Sequence, residues 1–127
     1  IKKYEKQDEM IKEILRKLYI ENIDIIVKNH VELPIDLFEF LISNENILLK
    51  DKIVILTDNI DKFSKREIRN YIKMIGSKDY ERIFSGRPKL EITETNRNLL
   101  KKLKSKELIS YFREKNGFFR VGHRNLK

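Results

Sequence analysis

The pair Asn116-Gly117 constrains this chain most, because Asn-Gly between β-prone runs favours a two-residue type I′ turn in which both central residues take positive φ. Such a turn sets the register of the strands it joins. Lys115 then pairs with Phe118, Glu114 with Phe119, Arg113 with Arg120, Phe112 with Val121 and Tyr111 with Gly122. Side chains alternate across a strand, so Phe112, Phe119 and Val121 share a face that wants a core. The opposite face carries Tyr111, Arg113, Lys115, Phe118, Arg120 and Arg124, cations mixed with aromatics. The hairpin is expected within Glu107 to Arg124.

Upstream, the signals are helical. Ser64 and Glu67 have the spacing of a capping box, Phe63 and Ile68 that of a hydrophobic staple, and Gly76 is a C-terminal stop, which predicts a helix from Lys65 to Ile75. Ser77 caps a short helix expected to run through Phe84 and to end at Gly86 and Pro88. Thr93 or Thr95 caps a third helix, carrying Leu99, Leu100 and Leu103. From Tyr4 to about Tyr19, Ile11, Ile14, Leu15 and Leu18 recur at helical spacing among Lys and Glu, and the stripe is read as core-facing, with a dimer seam as the alternative. Pro34 suits the first turn of a helix that carries Leu37, Phe38, Leu41 and Ile42. The run Ile47 to Ile60 stays ambiguous between a buried strand and a helix, since periodicity does not separate them. The expected fold is mainly α with a small β component (α+β), a helical N-terminal half followed by a helix and a β-hairpin. At 127 residues it falls within the usual size of one compact unit.

Charge divides the chain. Residues 1–61 hold 9 Lys and Arg against 13 Asp and Glu, whereas residues 62–127 hold 19 against 7, so nets of −4 and +12 make up the overall +8. An oriented field of this kind attracts polyanions, and nucleic acid is the expected partner. Residues 1–61 are read as an acidic packing or oligomerisation part, and residues 62–127 as the basic binding part. Cysteine is absent, so no disulfide forms, and apolar runs such as Ile53 to Leu56 fall far short of the ~20 residues of a membrane span. No membrane partner is expected, and the expected location is cytoplasmic, on a bacterial nucleoid or inside a cell for a viral protein. The absence of Ala and the abundance of Ile, Lys and Asn point to an AT-rich genome.

The segment Asn98 to Arg124, NLLKKLKSKELISYFREKNGFFRVGHR, resembles the end of a winged-helix DNA-binding domain: a recognition helix, a strand entered through a Leu-Ile pair, then a basic hairpin wing. The resemblance implies a helix at about 94–104 in the major groove and a wing at about 107–124 against the flanking backbone. By position it places Asn96, Arg97, Lys101, Lys102 and Lys104 on the helix, and Arg113, Lys115, Arg120 and Arg124 on the wing, with Tyr111 beside them. The chain departs from the family in two places: Glu107 stands where Gly often precedes the Leu-Ile pair, and no tight partner helix directly precedes the helix near Thr95. Ser77 to Phe84 or an inserted segment would have to account for the second. A separate five-residue match, Ser85-Gly86-Arg87-Pro88-Lys89, is similar to the core of an AT-hook, whose Arg lies in a narrow minor groove, which brings Arg87 and Lys89 into the candidate set. A plain turn is the competing reading of that stretch.

Catalytic chemistry has little to stand on. His30 and His123 are far apart and no Cys accompanies them, so a zinc site is not expected, and no Asp or Glu stands two residues before a Lys, the usual cue of metal-dependent nucleases. Gly76, Gly86, Gly117 and Gly122 make no phosphate-binding loop, dinucleotide fingerprint or nucleophile elbow. The chain is therefore expected to be a non-catalytic DNA-binding regulator of transcription or of a plasmid or mobile element, without metal or cofactor, and able to form a homodimer. The alternatives are an RNA-binding or ribosome-associated module, with Tyr111 and Phe118 stacking on unpaired bases, and a protein-interaction factor or piece of a larger replication or transcription machine.

Overall fold

The computed structural model describes residues 2–85 and 87–122, with side chains from Gln7 onward. In chain order the elements are α1 (Lys2–Glu21), α2 (Ile23–Lys28), α3 (Ile35–Ile42), α4 (Leu49–Asn59), α5 (Lys65–Ile75), α6 (Lys78–Glu81), β1 (Leu90–Glu91), α7 (Glu94–Ser105), β2 (Tyr111–Lys115) and β3 (Phe118–Gly122). A 3-10 turn, Ile60–Lys62, extends α4. The fold is mainly α with one small antiparallel sheet, as the sequence leads one to expect.

The ambiguous run is a helix, and it is the centre of the molecule. Every residue from Asp51 to Ile60 is at least half-buried, with Ile53, Ile55, Leu56 and Ile60 fully so. Helices α2, α3, α5 and α7 all pack on α4. A helix covered on all sides has no polar stripe to betray its period, which is why alternation and helical spacing look alike in this stretch. Asn59 ties the centre to the chain before α3. Its side-chain oxygen accepts from the Leu33 N–H at 2.8 Å, and its amide donates to the Ile55 carbonyl at 2.8 Å. On one flank Phe38, Phe63 and Tyr71 join α3 to α5, with ring centroids 4.7–4.9 Å apart.

Helix α5 starts and stops where expected. The Ser64 N–H donates to Glu67 Oε1 at 2.9 Å and the Glu67 N–H donates to Ser64 Oγ at 3.2 Å, the reciprocal capping box. Gly76 closes the helix at φ 83°, in the left-handed region. The next expected helix is shorter than anticipated, since α6 ends at Glu81 and residues 82–85 are turns.

Helix α7 buries Asn96, Leu99, Leu100 and Leu103, one face at i, i+3, i+4 and i+7. Thr93 caps it, its hydroxyl accepting from the Asn96 N–H at 3.1 Å. At the far end the Leu108 N–H reaches the Leu103 carbonyl at 2.9 Å and the Glu107 N–H reaches the Lys104 carbonyl at 3.0 Å, the paired bonds of a Schellman motif. Glu107 occupies the left-handed position of that motif at φ 61°, so the backbone there has the conformation that suits Gly although the side chain is Glu. Asn116 and Gly117 take φ 54° and 84°, and β2 and β3 pair in the register set out above, from Tyr111 opposite Gly122 to Lys115 opposite Phe118. The two-residue strand β1 adds to the other side of β3, giving the order β1-β3-β2. Leu90, Phe119 and Val121 point into the core, which runs as one buried cluster from Ile26 to Val121.

Two outcomes follow. Replacing Glu107 with Gly relieves a left-handed L-residue, and Glu107→Gly should raise stability by about 0.5 to 1 kcal/mol, read as a higher urea midpoint with unchanged slope. Glu67 is held below the ordinary glutamate value, first by the Ser64 backbone bond and then by the Ser64 hydroxyl. A lowered folded value means that the stabilisation is present above the unfolded glutamate pKa and is lost as pH falls through the folded one. Glu67→Gln should therefore flatten the acid limb of the stability profile; an unchanged limb would remove the capping box from it.

Candidate nucleic-acid interface

Alternation gives the three-stranded sheet two chemically different faces. The inner face carries Leu90, Phe112, Phe119 and Val121, with Glu114 at its edge. Glu114 binds the Arg97 guanidinium at 2.8 Å, and the same guanidinium lies 5.7 Å from the Phe119 ring centroid. Arg97 thus braces α7 against the hairpin while keeping 38% of its side-chain surface exposed.

The outer face carries Arg113, Lys115, Phe118 and Arg120 on the hairpin, with Lys89 and Glu91 in phase on the neighbouring strand and Arg87 just before it. All of these residues are exposed. The only carboxylate among them is Glu91. Arg113 and Arg120 are direct cross-strand partners, an arrangement of like charges that costs stability in the free sheet. None of Arg87, Lys89, Arg113, Lys115 and Arg120 has an ion-pair partner among the described residues. Between the segment Arg87 to Lys89 and the hairpin tip lies a concavity of about 400 Å³, bordered by Arg87, Lys89, Lys115, Arg120 and Phe118 and by no acidic residue. Tyr111 and Phe118 keep 48% and 41% of their surface exposed. The Tyr111 ring lies over Gly122, where a Cβ would strike it, so Gly122 is what lets the ring lie flat on the strand.

The proposed recognition helix is less uniform. Lys101 and Lys104 are exposed. Lys102 donates to Asp61 at 2.7 Å and borders a cleft of about 610 Å³ between α4 and α7 that also holds Lys101, His30 and Asp58. His30, for which the sequence offers no partner, takes φ 51° after α2, and its Nδ1 lies 3.0 and 3.1 Å from the two Asp58 carboxylate oxygens. Burial pushes the Asp58 carboxyl up, and the His30 contact and Lys102 offset part of that shift. This side of α7 therefore mixes both signs of charge, whereas the sheet side is almost purely cationic.

Asn96 requires a correction. It is only 5% exposed, its side-chain oxygen accepts from the Tyr80 hydroxyl at 2.5 Å, and its amide donates to the Glu91 carbonyl at 2.9 Å. Buried and engaged at both ends inside the protein, Asn96 does not present its amide to a base edge; it fastens α7 to α6 and β1. Of the two alternatives for the partner of α7, residues 77–84 are not its chief neighbour: α7 packs mainly on α4, and α5, α6 and β1 lie between the two in sequence. Gly86 and Arg124 lie outside the described residues, so the AT-hook-like match is followed only through Arg87, Pro88 and Lys89, and the wing only to Gly122. Pro88 is buried, with Arg87 and Lys89 exposed on either side of it.

Sequence reasoning missed β1, whose two residues are too short to show a period, and with it the alignment of Arg87 and Lys89 beside the hairpin. Their common parity with Glu91, opposite Phe118, is the signal that finds them once the strand is known. Among the described residues no three His, Asp or Glu side chains converge as a metal site, and no helix is long and apolar enough to cross a membrane. In comparisons with known proteins, no family model, no curated protein and no solved structure matches this chain.

The role of Asn96 is open to a direct check. Asn96→Ala leaves the Tyr80 hydroxyl without its acceptor and the Glu91 carbonyl with the Thr93 N–H alone, and should cost roughly 1 to 3 kcal/mol of stability in a denaturant titration. A variant as stable as the parent would contradict the structural role.

Proposed function

We propose that this chain is a non-catalytic nucleic-acid-binding protein. More particularly, it grips the phosphate backbone of duplex DNA with the outer face of its sheet, and sets the exposed cations of α7 against the same duplex. The observation that carries the reading is the cross-strand pair Arg113 and Arg120, flanked by Lys115, Arg87 and Lys89, without an ion-pair partner among the described residues. Like charges held side by side destabilise the free protein, and a polyanion laid along them removes that cost. The helix-then-hairpin order and the resemblance of residues 98–124 to a winged-helix end favour a duplex, with Lys101, Lys104 and the exposed part of Arg97 on the helix side. A regulator of transcription or of a mobile element is the biological role in keeping with that reading.

A second reading has one observation of its own. Tyr111 and Phe118 are exposed on the cationic face, where aromatic rings stack on unpaired bases of single-stranded RNA or DNA.

Fluorescence anisotropy of a labelled AT-rich duplex at several salt concentrations tests both. Engagement of all five sheet cations gives a log–log salt slope of about 4 to 5 on duplex, at ~0.9 per phosphate, and a shallower one on a single strand, at ~0.7. Arg113→Ala combined with Arg120→Ala should weaken binding on every sequence and lower the duplex slope by roughly 2, while leaving stability equal or higher. An unchanged slope would rule out the sheet as the phosphate contact. Stronger competition by single-stranded RNA than by duplex would transfer the assignment to the second reading.

A further inference from the structure

The longest helix turns its apolar residues away from the protein. Met10, Ile11, Ile14, Leu15 and Leu18 on α1 are 63%, 54%, 54%, 38% and 46% exposed. The residues of α1 that meet the core, Tyr19 and Ile20, together with Arg16 over the Phe40 ring at 5.1 Å, lie at its C-terminal end. The expectation of a core-facing stripe is corrected: residues 7–15 of α1 are exposed on every side, and only the C-terminal end of the helix meets the domain, which leaves the dimer seam as the alternative. Five such side chains amount to roughly 450 Å² of apolar surface, the size of the largest patch on a typical soluble monomer, where such patches are often functional. Across a twofold axis the area doubles to about 900 Å², close to the ~1,000 Å² at which specific interfaces begin.

We infer that α1 pairs with α1 of a second copy of this chain, the two helices parallel and in register. With Ile11 and Leu18 at the first core position of the heptad and Gln7 and Ile14 at the second, Met10 precedes the seam and Leu15 follows it. In a parallel pair the residue before the seam meets the partner residue five positions on, so Met10 faces Leu15 of the other copy, apolar against apolar. An antiparallel pair with Ile11 opposite Ile14 instead sets Lys17 against Met10 and Asp8 against Leu15, charge against hydrocarbon on both flanks. The choice of a second copy follows from this self-complementarity, since a twofold presents the same patch on both partners. The inference stands apart from the nucleic-acid reading, because α1 lies in the acidic half and its pairing is measured without any nucleic acid.

Sedimentation equilibrium of the full chain, without nucleic acid, is the test, run from about 1 µM to 1 mM so that weak association is seen. A mass rising from 15.4 kDa towards twice that value is expected. Ile14→Glu should hold the mass at one chain throughout, with a urea midpoint equal to the parent's at concentrations where both are single chains, since Ile14 is exposed. Because the chain has no cysteine, Gln7→Cys adds a single thiol, which should cross-link two parallel chains under mild oxidation and fail to do so in an antiparallel pair. A single-chain mass at every concentration overturns the inference, as does a dimer that survives Ile14→Glu. A monomer that binds anionic vesicles through α1 would also overturn it and give the stripe to a lipid surface.

Discussion

The burial of α4 from Asp51 onward, beneath four other helices, is the constraint on which the rest of the structure depends. Four helices use it as their common floor, and α7 in particular rests on it with Leu99, Leu100 and Leu103. Through α7 the same core reaches the sheet, whose Leu90, Phe119 and Val121 complete the cluster. The side of the sheet that faces solvent is therefore not chosen locally. It is fixed by which hydrocarbon the core accepts, and a one-residue slip of the hairpin would exchange the two faces entirely.

That coupling explains how the charges are sorted. Once Phe112, Phe119 and Val121 are drawn inward, Arg113, Lys115, Phe118 and Arg120 have no alternative but the outer face. Carboxylates that could neutralise cations are used elsewhere: Glu114 on Arg97, Asp61 on Lys102, and Asp58 on His30. What remains on the outer face is cationic and aromatic, with Glu91 as its one acid. Five basic residues against one acid thus share the outer face of the sheet, while the rest of the second half's surplus lies elsewhere, with Lys65, Arg66, Arg69 and Lys73 of α5 exposed as well.

Elements with a local chemical signature were legible in the sequence. The Asn116-Gly117 turn gave the register of β2 and β3 residue by residue, and Ser64, Glu67 and Gly76 gave both ends of α5, because each signal acts within a few residues of the structure it sets. What depends on long-range packing was not legible. The period of α4 is erased by burial on every side, β1 is too short to alternate, and the α1 stripe carries the same pattern whether it meets the core or a partner. Of the site, the outward-facing cations of the hairpin follow from the register alone. Asn96 was misjudged because its burial is set by Tyr80, which lies sixteen residues away.

Amide chemical-shift mapping of the ¹⁵N-labelled protein, titrated with an AT-rich duplex, tests the central claim most directly. The account expects the largest changes at Arg87, Lys89, β2, β3 and the exposed side of α7 near Lys101 and Lys104, with α1 and α3 unmoved. Changes confined to α1, or to α7 and the His30 and Asp58 cleft, with a silent sheet, would contradict it.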